Sequence, residues 1–111
     1  MTSLSTHVLD LARGCPAAGV AVRLLRDGAV LVQALTDADG RCPDLQTATV
    51  KPGRYALEFA VADYFRACGV TLPDPPFLDL VTIAFGIADP RSHYHVPLLV
   101  SPFGYSTYRG S

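Results

Sequence analysis

The segment LSTHVLD, residues 4–10, alternates in character: Thr6 and Val8 fall on one side, Ser5, His7 and Leu9 on the other. Residues 20–25 repeat the pattern, with Val20, Val22 and Leu24 on one face. Arg26-Asp27-Gly28 is a hairpin turn signal, and the β-rich run 29–35 follows it. Tyr55, Leu57, Phe59 and Val61 alternate with Arg54, Ala56, Glu58 and Ala60, the period of a half-buried strand. Residues 63–68, DYFRAC, break this rhythm and precede Gly69, which predicts one or two turns of helix closed by a glycine. VTLPDPP reads as loop, and residues 78–87 as another apolar strand. The last stretch predicts two strands joined across SPFG, the second running from Ser106 to Ser111. About seven or eight strands at short spacing with one short helix predict an all-β sandwich. Residues 1–111 read as one domain, without linker, repeat or low-complexity tract.

Composition narrows the function. Half of the 111 residues are hydrophobic, enough for a core, and the formal net charge is −1. A nucleic-acid binder would carry a basic stripe, so that class is set aside. No apolar run approaches the ~18 residues of a membrane span, and MTSLSTHVLD lacks the layout of a secretory signal, so the expected place is the cytoplasm. Cys15, Cys42 and Cys68 are odd in number and lack CxxC spacing, which predicts free thiols rather than disulfides or a cysteine zinc site.

Candidate chemistry gathers at the two ends. His93 and His95 share a strand face with Pro97 and Leu99, while Tyr94, Val96, Leu98 and Val100 make the more apolar, core-facing side. Pro97 cannot donate to a ladder, which predicts an edge or a bulge there. His7 falls on the outward side of the first strand. HxH with His7 as third ligand is a possible zinc pattern. The same residues without metal are an acid–base set, since imidazole titrates near pH 6.5. Arg41 or Arg109 can hold a developing oxyanion or a planar heterocycle. In the terminal strand Ser106 and Tyr108 share one face and Thr107 and Arg109 the other, which sets Tyr108, Ser111 and the terminal carboxylate near His95.

HVLDLARGCPAAGVAVRL, TDADGR, the DYF of ADYFRACG, HYHVPLL and the terminal YRGS together resemble the transthyretin-like 5-hydroxyisourate hydrolases over nearly the whole chain. The carrier transthyretin is similar in VLD, RGxPA and SPxxYST but lacks YRGS and the paired histidines. One stretch departs: where many members carry a segment like FFPEV, this chain has PPFLDLVTIAFGIADPRS. The resemblance implies a transthyretin-like (prealbumin-like) sandwich of two four-stranded sheets with one short helix. It implies a homotetramer with active sites at the dimer–dimer interface, and no metal or organic cofactor. The implied reaction is hydrolysis of 5-hydroxyisourate to 2-oxo-4-hydroxy-4-carboxy-5-ureidoimidazoline in urate degradation. The family's functional residues fall on His7, Arg41, His95 and the tetrapeptide Tyr108, Arg109, Gly110 and Ser111. His7, Arg41, His95 and Ser111 are then expected to be catalytic, and His7, Arg41, Tyr108 and Arg109 to bind substrate. Two other classes stand beside the hydrolase: a small-molecule carrier and a structural β-sandwich in which the histidines are incidental.

Overall fold

A computed structural model describes residues 3–48 and 50–111. Strands β1 (Ser3–Asp10), β2 (Cys15–Pro16), β7 (His93–Ser101) and β8 (Gly104–Thr107) form one sheet in the order β2-β1-β7-β8. Strands β3 (Ala21–Arg26), β4 (Ala29–Leu35), β5 (Gly53–Ala60) and β6 (Leu80–Ile87) form the other in the order β4-β3-β5-β6. Helix α2 (Val61–Ala67) follows β5 directly, and a single turn, α1 (Pro43–Gln46), precedes it. The all-β sandwich of two four-stranded sheets is the expected architecture.

Alternation explains the core. Leu4, Val8, Leu98 and Val100 of the first sheet face Val22, Leu24, Leu57 and Phe59 of the second, and all are essentially inaccessible to solvent. Each such side chain contributes about 1.5–3 kcal/mol of hydrophobic stabilisation. Asp27 and Gly28 both adopt positive φ, 52° and 80°, the backbone of a two-residue hairpin turn whose twist matches the strands it joins.

Several boundaries differ from expectation. Val61 continues the β5 alternation but is the first residue of α2: its side chain is buried either way, so periodicity could not separate the two. The apolar run predicted from residue 78 pairs only from Leu80, because the Asp79 carbonyl instead accepts a bond from the Ala62 amide. Pro97 was expected at an edge or bulge, yet β7 is an inner strand, paired in parallel with β1 and antiparallel with β8. The consequence of its missing N–H falls on the β8 side. The ladder runs from Ser101↔Gly104 to Leu98↔Thr107, stops at Pro97, and resumes as an isolated bridge, His95↔Gly110. The terminal strand expected to run to Ser111 therefore ends at Thr107. Pro97 is itself buried, so it adds nothing to an exposed apolar face.

Helix α2 is tied to the first sheet through a buried polar pair. The Tyr64 hydroxyl donates to Asp10 Oδ2 at 2.7 Å, while Asp10 Oδ1 accepts from the Ala12 and Arg13 amides. Burial, and then the bond to Asp10, push the Tyr64 phenol well above its usual pKa, so it stays a donor. Replacing Tyr64 by Phe strands a carboxyl oxygen on a residue only 1 % exposed. The expected cost is about 1–3 kcal/mol, read as a lower urea midpoint at unchanged slope.

Candidate active site

Three elements bring the sequence-predicted residues to the outer face of the first sheet. Parallel pairing of β1 with β7 sets Ser5 opposite His95 and His7 opposite Pro97, so His7 and His95 are diagonal neighbours on one side. Arg41 arrives through the TDADGR turn. Asp37 Oδ1 accepts from the Asp39 and Arg41 amides at 2.9 and 3.0 Å, and the Arg41 carbonyl accepts from the Asp37 amide. The Gly40 carbonyl then accepts from the Val8 amide at 2.8 Å, which bridges Arg41 to His7. Gly40 sits at φ +76°, and a Cβ there would collide with the Val8 carbonyl. Glycine is thus required for the turn to approach β1 so closely.

The chain terminus completes this face. The Gly110 amide donates to the His95 carbonyl at 2.8 Å, and a side chain at 110 would begin 2.5 Å from the His95 ring. The missing Cβ is what lets the tail lie against the imidazole. Ser111, exposed, follows directly. Tyr108 is placed differently from expectation, whereas Arg109 keeps the side opposite His95 that alternation gave it. The ladder gap at Pro97 releases both from the sheet, and they line a cavity of about 390 Å³ at the open edge of the sandwich, with Phe85, Tyr94 and Val96. Tyr94 and Val96 belong to the inner face of β7, so Tyr108 does not share the outward face of His95 within the chain. Arg109 stacks over the Tyr94 ring at 4.2 Å and reaches the His93 carbonyl.

Electrostatics favour a neutral imidazole. Burial lowers the His95 pKa below the ordinary value, and the charges of Arg41, His93 and His7 add to the effect in that order. His95 is therefore poised to accept a proton at neutral pH. Among the described residues no group of three His, Cys, Asp or Glu side chains converges as metal ligands. Both ring nitrogens of His93 lie within hydrogen-bond distance of serine hydroxyls, Ser3 on Nδ1 and Ser5 on Nε2. Cys15, Cys42 and Cys68 are free thiols, and burial, then Asp44 and Asp37, push Cys42 up to about 11, leaving it unreactive at neutral pH. Ser5 carries geometry that sequence reasoning left without a role. Its signal was weak: one more polar residue on an outward face.

A transthyretin-like sandwich with histidines and an arginine on the outer face of one sheet defines a class of small β-proteins. The HIUase/Transthyretin family model matches residues 4–110, and the chain belongs to that family. It is 54 % identical over 117 residues to the 5-hydroxyisourate hydrolase of Ralstonia nicotianae, covering all of both chains. The 5-hydroxyisourate hydrolase of Klebsiella pneumoniae superposes with a TM-score of 0.86 at 39 % identity, over 100 % of this chain and 94 % of that one. Sea bream transthyretin, solved with thyroxine, superposes with a TM-score of 0.83 at 32 % identity, over 97 % and 94 % of the two chains. No helix among the described residues is long and apolar enough to cross a membrane.

Proposed function

We propose that this chain, a 5-hydroxyisourate hydrolase, carries its reaction on the outer face of β1 and β7, where His7, Arg41 and His95 converge. That convergence, produced by the β1–β7 register and the Gly40 turn, is the observation on which the reading rests. His7 and His95 hold a water, and an imidazole takes its proton as the oxygen attacks a carbonyl of the cyclic substrate. Arg41 binds the substrate's polar edge and stabilises the negative charge that develops on the attacked oxygen. The ring C–N bond then breaks, and the imidazolium returns the proton to the departing nitrogen. One water is added, with no net change in protons beyond ionisation of the product.

Ser111 is the fourth catalytic group in this proposal, held at the site by the Gly110 bridge to His95. Tyr108 and Arg109 complete the substrate-binding set. Both are exposed in the single chain, Tyr108 at 59 %, and the place for them to meet substrate is a dimer–dimer interface of a homotetramer. Exposed apolar side chains support assembly, among them Leu31, Leu35 and the adjoining Phe77 and Phe103. The cytoplasm is the proposed location.

The purified protein added to freshly made 5-hydroxyisourate accelerates its ultraviolet decay, and a rate equal to buffer alone refutes the reading. A carrier for an apolar ligand gives that buffer rate. Treatment with EDTA followed by dialysis leaves the rate unchanged, because a metal on the HxH pair would have to displace the serine hydroxyls from His93. A loss of rate that zinc restores would overturn this.

A further inference from the structure

His95 Nδ1 lies 2.7 Å from Ser5 Oγ, and the same oxygen lies 2.9 Å from His93 Nε2. His93 Nδ1 lies 2.5 Å from Ser3 Oγ. The two rings are nearly parallel, 16° apart in plane, with Ser5 between them. Ser5 is 7 % exposed, so its hydroxyl has little water to turn to. A hydroxyl carries one hydrogen, so Ser5 donates to one imidazole and accepts from the other. That choice propagates along the whole chain of bonds.

Two polarities satisfy every atom. In the first, His95 Nδ1–H donates to Ser5 Oγ, Ser5 Oγ–H donates to His93 Nε2, and His93 Nδ1–H donates to Ser3 Oγ. His95 Nε2 is then left as a bare lone pair. In the second every bond reverses, Nε2 carries the hydrogen, and the ring has no free lone pair to offer a water. Only the first polarity leaves His95 a lone pair that a water can reach, which is what the hydrolase site requires of its base.

We propose that Ser5 and His93 are positioning residues that hold His95 as its Nδ1–H tautomer, leaving His95 Nε2 free to act as the general base. The proposal rests on the hydrolase site described above. The same arrangement serves the charged intermediate: once Nε2 takes the water's proton, the imidazolium still donates from Nδ1 to the Ser5 lone pair, so no bond has to be remade during turnover. Coupling of this kind, in which a neighbour fixes the tautomer and direction of a working histidine, is worth about tenfold or more in activity.

The chain contains three histidines, which makes the tautomers directly readable by imidazole nitrogen NMR of the full-length protein. In the unaltered protein, above its titration, His95 shows a protonated Nδ1 and a bare Nε2. Ser5→Ala removes the acceptor, and His93→Phe frees the Ser5 hydrogen to turn toward His95 Nδ1. Both variants move population to the Nε2–H form and lower kcat about tenfold, with a smaller change in KM. Ser5→Thr retains the hydroxyl and restores both the tautomer and the rate, which separates this role from packing. An Nε2–H tautomer in the unaltered protein, or variants that leave tautomer and kcat unmoved, overturn the inference. His95→Ala distinguishes this failure from that of the site itself. A large loss in His95→Ala beside an unmoved Ser5→Ala refutes only the relay, whereas no loss in His95→Ala refutes the site.

Discussion

Replacing His95 by Ala lowers the rate of 5-hydroxyisourate hydrolysis on the order of a hundredfold, the usual contribution of a positioned general base. The ring projects from the outer face of β7, away from the core formed by Tyr94, Val96 and Leu98, so its removal leaves no internal cavity. Stability should change by no more than ~1 kcal/mol. The pH profile supplies a second check. Because burial and Arg41 hold the His95 pKa down, the ring stays neutral as pH falls through the ordinary imidazole value of about 6.5. The rate plateau should extend below that value before it declines. Stability follows the same sign: the unfolded chain takes up this proton first, so acidification through the window between the two pKa values destabilises the fold. A His95→Ala protein that hydrolyses substrate at the full rate would remove the ring from the mechanism.

Deleting residues 108–111 should abolish hydrolysis while leaving the sandwich folded. The β7–β8 ladder is already complete at Thr107, so the tail contributes little to the sheet. What goes is the Gly110–His95 bond, the Arg109 stack on Tyr94 and a weak bond to the His93 carbonyl. Together these are worth about 1–3 kcal/mol against about 5–15 for a domain. At the site the loss is larger. Gly110 lies against the His95 ring and Ser111 follows it, and a displacement of about 1 Å at such a position costs about a hundredfold in rate. Thermal unfolding and hydrolysis, compared for full and shortened chains, decide the matter. A shortened chain that is folded and fully active shows the tail to be dispensable, and one that no longer assembles shows it to be structural.

Much of this architecture could be read from alternation. The inward positions of β1, β3, β5 and β7 were identified because one face of each is more apolar than the other. The two-residue strand β2 and the single turn α1 escaped, since neither is long enough to show a period. His7, Arg41 and His95 were legible as outward or turn-borne polar residues, and the resemblance to the hydrolases selected them. Alternation gives a side chain's face and says nothing of its neighbour across the sheet. The Ser5 contacts with His93 and His95 depend on a parallel register between strands at opposite ends of the chain. The position of Tyr108 depends on an interruption that Pro97 announces only in part: the missing N–H was evident, but which flanking strand would lose its partner was not.

The parallel pairing of β1 with β7 also dictates when the face proposed for catalysis can exist. Contacts such as Thr6 Oγ1 to the Val96 carbonyl join residues 90 positions apart. Closing a loop of that length costs about 4 kcal/mol of chain entropy before any contact rewards it. The opposite sheet is built within residues 21–87 and includes the tight β3–β4 hairpin, a local contact that closes a short loop. Non-local β-topologies of this kind fold on the order of milliseconds to seconds. During synthesis the second sheet can form while β7 is still unmade, with Val22, Leu24, Leu57 and Phe59 uncovered until β7 arrives to pair with β1. The proposed site therefore forms only after β7 has joined β1, and a chain interrupted before residue 93 exposes an apolar sheet that invites association with its own kind.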